Sequence, residues 1–256
     1  ADSDGVPARV SIAKHNRVFL PREPDNPKHV AAAKMLAYLL NDYFLDAVVL
    51  GNIDTNYDFD LDDEEDIVDD PTLKGRLDYI GLNYYGATLV IDTANDANFP
   101  LIGLPLINDL DTHGFDAPLS DFGWSLYPAG LREVLDGVGR FALPIMITEN
   151  GLADANETLR ERFLVEHLYE IQRAIEDGIA IEGYYHWSLI DNFEWGSGYC
   201  PRFGLFRVDF DSADKTRTMG AGALLYKDII DANSVLPAFF GRTEYGAVGS
   251  CPRVGI

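Results

Sequence analysis

Two short apolar runs in this chain each lead to a carboxylate, and a helix's length of sequence lies between them. Leu143-Pro144-Ile145-Met146-Ile147 runs into Thr148-Glu149-Asn150-Gly151, and Gly183-Tyr184-Tyr185-His186-Trp187-Ser188-Leu189-Ile190 runs into Asp191-Asn192-Phe193-Glu194-Trp195. Apolar runs of this length bounded by turn residues read as buried strands. The stretch between them, 157–177, has helical periodicity. A strand, a helix and a second strand in that order require a parallel pair joined by a crossover. In β/α barrels the polar residues at the ends of such strands are the ones that carry chemistry.

Three further segments repeat the strand-then-helix alternation. Residues 9–20 have strand character, and 26–50 follow as a helix whose broad apolar face includes Ala31, Ala32, Ala33, Met35, Leu36, Leu39 and Leu40. Leu77-Asp78-Tyr79-Ile80-Gly81-Leu82-Asn83-Tyr84-Tyr85 is the second strand; a long loop then runs to Trp124, and a helix spans 128–141. The strand at 144–148 has its helix at 157–177, and the strand at 182–187 is followed by a last helix at 219–232. The tail, 236–256, is punctuated by Pro237, Gly241, Gly246, Gly249 and Pro252 and reads as irregular. No fixed-period repeat and no Ser/Gly linker divides the chain, so a single α/β domain over 1–256 is expected.

Apolar residues make up 47% of the chain and aromatic residues 12%, which excludes wholesale disorder. No apolar run approaches the roughly 18 residues that span a bilayer. The first residues, Ala1-Asp2-Ser3-Asp4-Gly5, show no basic region followed by an apolar one, and a cytoplasmic location is expected. Acidic residues number 42 against 20 basic ones, a net charge of −22, with arginine outnumbering lysine. A phosphate backbone requires a basic surface, so nucleic acid is disfavoured as a partner. Such an acidic excess resembles proteins of salt-accumulating halophiles, in which concentrated cations screen self-repulsion. Cys200 and Cys251 are too few for a disulfide scaffold; two separate thiols or one bridge are both compatible with the sequence. Asp58-Phe59-Asp60-Leu61-Asp62-Asp63-Glu64-Glu65-Asp66 alternates like a calcium loop, but Asp63 stands where such a loop needs Gly. A solvated acidic loop is the better reading, and neither a metal nor a cofactor is expected.

Several motifs, in order, resemble glycoside hydrolase family 1. They are the Leu77–Tyr85 strand; Gly123-Trp124-Ser125-Leu126-Tyr127-Pro128; Ile147-Thr148-Glu149-Asn150-Gly151; Arg162-Phe163-Leu164-Val165-Glu166-His167-Leu168; and Gly183 through Trp195, continued by Arg202-Phe203-Gly204-Leu205. The resemblance runs from about residue 9 to residue 233. It implies an α/β fold of the (β/α)8 TIM-barrel type, of which this chain covers roughly the second half, strands 5–8. It also implies retaining hydrolysis of β-glucosides, β-galactosides or related sugars.

By that resemblance Glu149 is the nucleophile, and Tyr85 is the donor that orients it and tunes its basicity. Retention uses one carboxylate to attack the anomeric carbon and a second to protonate the leaving oxygen. Glu194 and Trp195 match the glycon-binding pair, Trp187 the aromatic platform under the sugar, and Asn83 a further pocket residue. A flat indole with one N–H suits a sugar's apolar face. Retention of Glu194 and Trp195 favours an unphosphorylated sugar, since a carboxylate there repels phosphate. Plain packing is the competing reading for the aromatics, and turn capping for Glu149. His167, amid Phe163, Leu164 and Leu168, reads as structural; His186 reads as packing, and nothing demands a role for His113.

The pattern breaks in one place. The family's acid/base Glu lies in an Asn-Glu-Pro motif that this chain lacks. Its one Glu-Pro, Glu23-Pro24, follows the wrong strand. The Gln, His and Arg that complete the family's sugar site are also absent. A half-barrel leaves two open edges and an uncovered apolar face. Three arrangements would cover them: a complementary N-terminal half that brings the acid, self-association, or a remnant with altered edges. The first is the expectation. The reading from another class is a non-catalytic carbohydrate-binding or structural half-barrel.

Overall fold

The computed structural model describes Gly5 and residues 7–55, 67–92, 106–108 and 117–242. Strands β1 (Ala13–His15) and β2 (Val18–Pro21) open it, followed by α1 (Pro27–Ala37). Wider helical turns and the short α2 (Tyr43–Leu45) carry the chain on to Leu50, where Gly51, at φ +87°, ends the run. Then come β3 (Asn52–Asp54), β4 (Ile67–Asp69), β5 (Ile80–Tyr84), β6 (Ala87–Ile91) and β7 (Leu106–Asn108). The remainder is α3 (Pro128–Gly139), β8 (Ile145–Asn150), α4 (Arg160–Glu176), β9 (Ile181–His186), β10 (Phe206–Val208), β11 (Arg217–Met219) and α5 (Ala221–Ala232).

The central sheet is parallel throughout, in the order β1-β5-β8-β9, a partial barrel wall of the α/β class. Its strands alternate. Ile80, Leu82 and Tyr84 of β5 and Ile145 and Ile147 of β8 are fully buried against Leu131 and Leu135 of α3 and Leu164 of α4. Helix α3 starts on Pro128, whose fixed φ suits a first helical position, and buries Leu131, Val134, Leu135 and Val138 at helical spacing. Helix α4 is capped by Asp154, whose Oδ2 accepts from the Leu159 and Arg160 amides at 2.7 and 2.9 Å.

Four elements differ from the sequence-based expectation. The strand over 9–20 is two strands in two sheets: β1 pairs with β5, while β2 pairs with β6 in a β2-β6-β7 sheet. The break falls at Arg17: the Asn16 amide still donates to the Asn83 carbonyl of β5, whereas the Arg17 amide donates to the Asn41 side chain. Leu77–Tyr85 contributes only β5, and Gly86, at φ +130°, turns the chain into β6, which the sequence reading missed. The tail begins with a 3-10 turn, Pro237–Arg242, and Phe239 enters the core. Finally, the sheet face turned away from the helices is not apolar. Alternation, reset in β9 by an irregularity after Ile181, puts Ala13, His15, Asn83, Met146, Thr148, Glu182 and Tyr185 there, and Ala13, His15, Glu182 and Tyr185 are exposed.

Strands β1 and β9 are the outer strands of this sheet, with no further strand partner among the described residues. Arg9, ahead of β1, and Glu182 of β9 form an ion pair at 2.8 Å that joins these two edges. Cys200 is disulfide-bonded, which favours the bridge over separate thiols; Cys251 lies outside the described residues. The acidic run 58–66 and His113 lie outside them too. No described helix is long and apolar enough to cross a membrane.

Candidate active site

The ends of β5 and β8 meet in a shifted register. After an irregularity between Leu82 and Asn83, Asn83 stands opposite Glu149 and Tyr84 opposite Asn150. Beyond the shift, consecutive side chains of β5 turn to opposite faces in the ordinary way of a strand. Tyr84 goes into the core, where its hydroxyl donates to the Tyr127 carbonyl at 2.7 Å. Tyr85 goes the other way, and its hydroxyl donates to Glu149 Oε2 at 2.7 Å. Beside them Thr148 donates to Asn83 Oδ1 at 2.6 Å. Asn150, fully buried, fixes the strand end: its amide donates to the Tyr84 carbonyl and its Oδ1 accepts from Tyr184.

The Tyr85 ring is held by aromatic neighbours: Trp124 at 5.2 Å, His15 at 5.8 Å and Phe203 at 6.4 Å between centroids. Its pKa is raised far above the usual phenol range. Burial is the main cause, and the hydrogen bond to Glu149, the Glu149 charge and then the Glu194 charge add to it. The phenol is therefore a neutral donor across the working pH range.

Glu194 sits in a tight turn, its amide donating to the Gly198 carbonyl at 2.7 Å. Burial raises its pKa, hydrogen bonds from the Trp187 and Asn192 side chains oppose that rise, and the Glu149 and Asp191 charges add to it. Its Oε1 is buried without a hydrogen-bond partner among the described residues. Such an atom is costly unless something donates to it. Trp187 is half-buried, its amide donates to the Asn150 carbonyl at 2.9 Å, and the Trp187–Ser188 peptide is cis.

The structure thus brings Glu149, Tyr85 and Asn83 together, with Glu194 and Trp187 joined to each other and electrically to Glu149. Trp195 is not gathered in. It is 85% exposed, and its indole makes no hydrogen bond or ring contact among the described residues. The sequence reading gave no role to Trp124, Phe203, His15, Thr148 or Asn192. Trp124 and Phe203 lay within the quoted motifs, and an aromatic residue in a loop after a strand was the signal available. His15 carried none. His167 and His186 are structural, as read. His167 is stacked on Phe163 at 3.8 Å with its Nδ1 against the Phe163 carbonyl, and burial pushes its pKa down to about 3. His186 is buried and held well below its usual pKa, mainly by burial. Glu23 is exposed, beside Asn26 and His29 at the start of α1. No cluster of three or more metal-ligating side chains exists among the described residues.

Glu149, at the end of β8, is thus oriented by a neutral phenol, and Glu194, in the loop that follows β9, has an unpartnered oxygen and a hydrogen bond from an indole. The sequence matches the profile described as Glycosyl hydrolase family 1 over residues 2–235. The chain belongs to that family. A family 1 relative, the beta-galactosidase of Pyrococcus woesei, is 33% identical over 92% of this chain and 47% of its own length. The beta-galactosidase of Saccharolobus solfataricus is 38% identical over 81% of this chain and 40% of its own. The solved beta-glycosidase from Pyrococcus horikoshii superposes with a TM-score of 0.75 at 31% identity, covering 92% of this chain and 51% of that one. The chain spans about half the length of the family 1 relatives it matches.

Proposed function

We propose that this chain carries the nucleophile side of a retaining β-glycosidase acting on β-glucosides or β-galactosides. The observation that carries the reading is the Tyr85–Glu149 hydrogen bond at 2.7 Å across the ends of two adjacent parallel strands. Glu149 attacks the anomeric carbon, the leaving oxygen departs with a proton from a general acid, and water then hydrolyses the glycosyl–enzyme ester. Tyr85 holds one oxygen of Glu149 while the other attacks. Glu194 Oε1 accepts from sugar hydroxyls, Trp187 lies under the ring, and Asn83 borders it. Trp195 closes on the glycon only when sugar is bound. Retention of Glu194 and Trp195 supports an unphosphorylated sugar, since a carboxylate there repels phosphate.

The acid comes from a complementary N-terminal half. Support for this lies in the span of about half the relatives' length, the lack of an Asn-Glu-Pro motif, and outer strands β1 and β9 that have no further strand partner among the described residues. Helix α5, beyond β9, exposes Leu224 (55%) and Ile230 (58%), apolar surface that a neighbouring helix would cover. The whole forms one (β/α)8 barrel, of which this chain is a single domain and the second half. The acidic balance supports an origin in a salt-accumulating cytoplasm. A non-catalytic sugar-binding half-barrel is the second reading, favoured by the missing acid.

The test is an intact-mass spectrum after incubation with a dinitrophenyl 2-deoxy-2-fluoro-glucoside in concentrated KCl. The leaving group departs without an acid, and the fluorine slows hydrolysis of the ester. One fluorosugar added, and none in Glu149→Ala, is the expected result. Folded chain that stays unlabelled, alone and after mixing with a chain covering the relatives' first half, would favour the binding module.

A further inference from the structure

Arg160 opens α4 and is the largest fully buried side chain among the described residues. All five of its N–H donors are used. Nε donates to Glu157 Oε1 at 2.7 Å. Nη1 donates to the carbonyls of Leu152 and Phe203, both at 3.0 Å. Nη2 donates to the carbonyls of Asp154 and Arg202 at 3.0 and 2.8 Å. Leu152 and Asp154 belong to the segment that leaves Glu149. Arg202 and Phe203 belong to the segment that returns from Trp187 and Glu194. One planar fork therefore grips both loops, two carbonyls from each.

The sheet does not hold these loops in register. Pairing between β8 and β9 is irregular between Ile147 and Asn150, just where Glu149 leaves the strand. Past that point the segments are tied by single amides: Trp187 to the Asn150 carbonyl, Ser188 to Phe203 and Asp154 to Arg202. The last two carbonyls are shared with Arg160. Phe203 also touches the Tyr85 ring, so the grip reaches the residue that orients Glu149. The arrangement is built around the arginine. Gly222 of α5 leaves room for it, since a Cβ there would lie 2.6 Å from Arg160 Cδ, and the Gly222 amide meets the other oxygen of Glu157 at 3.3 Å.

We infer that Arg160 is a positioning residue that sets the distance between the nucleophile turn and the glycon-binding loop. The inference rests on the roles proposed above for Glu149, Trp187 and Glu194. Lysine cannot replace it, because a single ammonium with three donors cannot serve four carbonyls and a carboxylate at once.

The experiment compares wild type, Arg160→Lys, Arg160→Ala and Gly222→Ala by two readouts. One is amide hydrogen exchange; the other is labelling by the fluoroglucoside, resolved into kinact and KI. Exchange should quicken in both 151–155 and 187–205 in every variant, while α3, at 128–139, keeps its wild-type protection. Because a misplacement of about 1 Å can cost on the order of 100-fold, kinact should fall by about tenfold or more, with KI changing by less than about threefold. Guanidinium ion, well below denaturing concentration, should restore part of the loss in Arg160→Ala but not in Arg160→Lys. Quickened exchange in α3 to the same extent would mean that Arg160 merely fills the core, and the inference would fall. It would fall equally if one loop loosened without the other, or if kinact held at the wild-type value. Should the wild type resist labelling both alone and with a chain covering the relatives' first half, the glycosidase reading fails on that result, and exchange alone decides whether Arg160 couples the two loops.

Discussion

Tyr85→Phe isolates one interaction. The change removes the hydroxyl that donates to Glu149 at 2.7 Å and leaves the ring among Trp124, Phe203 and His15. Charge-assisted hydrogen bonds of this kind contribute about 1.5–3 kcal/mol. That amount does not itself appear as a rate loss: the charge on Glu149 fades as the ester forms, so the bond is stronger in the ground state than in the transition state, and its removal alone would not slow attack. The loss comes from orientation, since the freed carboxylate can rotate away from the attacking geometry. With about 1.4 kcal/mol per tenfold in rate, a net loss of roughly 10- to 100-fold is expected in the first-order labelling rate. The thermal midpoint should stay within a few degrees, because no apolar contact is lost. Tyr85 titrates above the ordinary tyrosine range, so the wild-type rate should show no Tyr85 limb up to about pH 10. A Tyr85→Phe rate within about twofold of wild type would refute the reasoning. So would a wild-type limb near pH 10 that disappears in the variant.

Tyr84→Phe is the opposite case: its hydroxyl meets the Tyr127 carbonyl inside the core, so stability should fall by about 1–2 kcal/mol with labelling unchanged, as denaturant titration and intact mass would report. His167, with its pKa pushed down to about 3, favours the neutral ring in the folded state; its stabilisation is therefore present above about pH 6.5 and drains as pH falls toward 3. Between pH 7 and pH 5 it alone should cost about 2 kcal/mol, measured by urea unfolding in concentrated KCl and flattened in His167→Asn. The net charge of −22 should make the thermal midpoint rise as KCl goes from about 0.1 M to 1 M, where the screening length falls from about 10 to 3 Å. A flat midpoint over that range would count against an adaptation to salt.

Much of the helical and strand order was legible because it is written in local chemistry. Pro128 with Leu131, Val134, Leu135 and Val138 at helical spacing predicts α3 without any knowledge of its neighbours. The two carboxylates were legible for the same reason, each at the end of an apolar run beside turn residues. The split of 9–20 into two sheets was not, because Arg17 leaves the strand ladder for a side-chain partner distant in sequence, Asn41. Arg160 was invisible as well. An arginine at a helix start reads as solvated, and only the return of 202–203 in the fold shows that every donor is buried and used. The polar character of the open face escaped for a related reason: the apolar residues that define each strand in the sequence are those facing the helices. Their alternate neighbours Ala13, His15, Thr148 and Glu182 carry no pattern of their own.

The bonds around Glu149 also bear on how a divided barrel would work. Every interaction that fixes it comes from β5, β8, β9 and the loops behind them: Tyr85 to Glu149, Thr148 to Asn83, Asn150 to Tyr84, and the four carbonyls gripped by Arg160. Only the His15 ring comes from the outer strand β1, and nothing in this set needs a neighbour beyond β1 or β9. On the proposed function, the contacts among the described residues would let the nucleophile side assemble without a second half, whereas protonation of a leaving group would need one. Under the proposed function the two steps separate cleanly by leaving group. A group that departs as a stable anion needs only Glu149 and its supports; an alkoxide must be protonated as it leaves and needs the other half. The division thus falls between making the glycosyl–enzyme bond and helping the aglycone go.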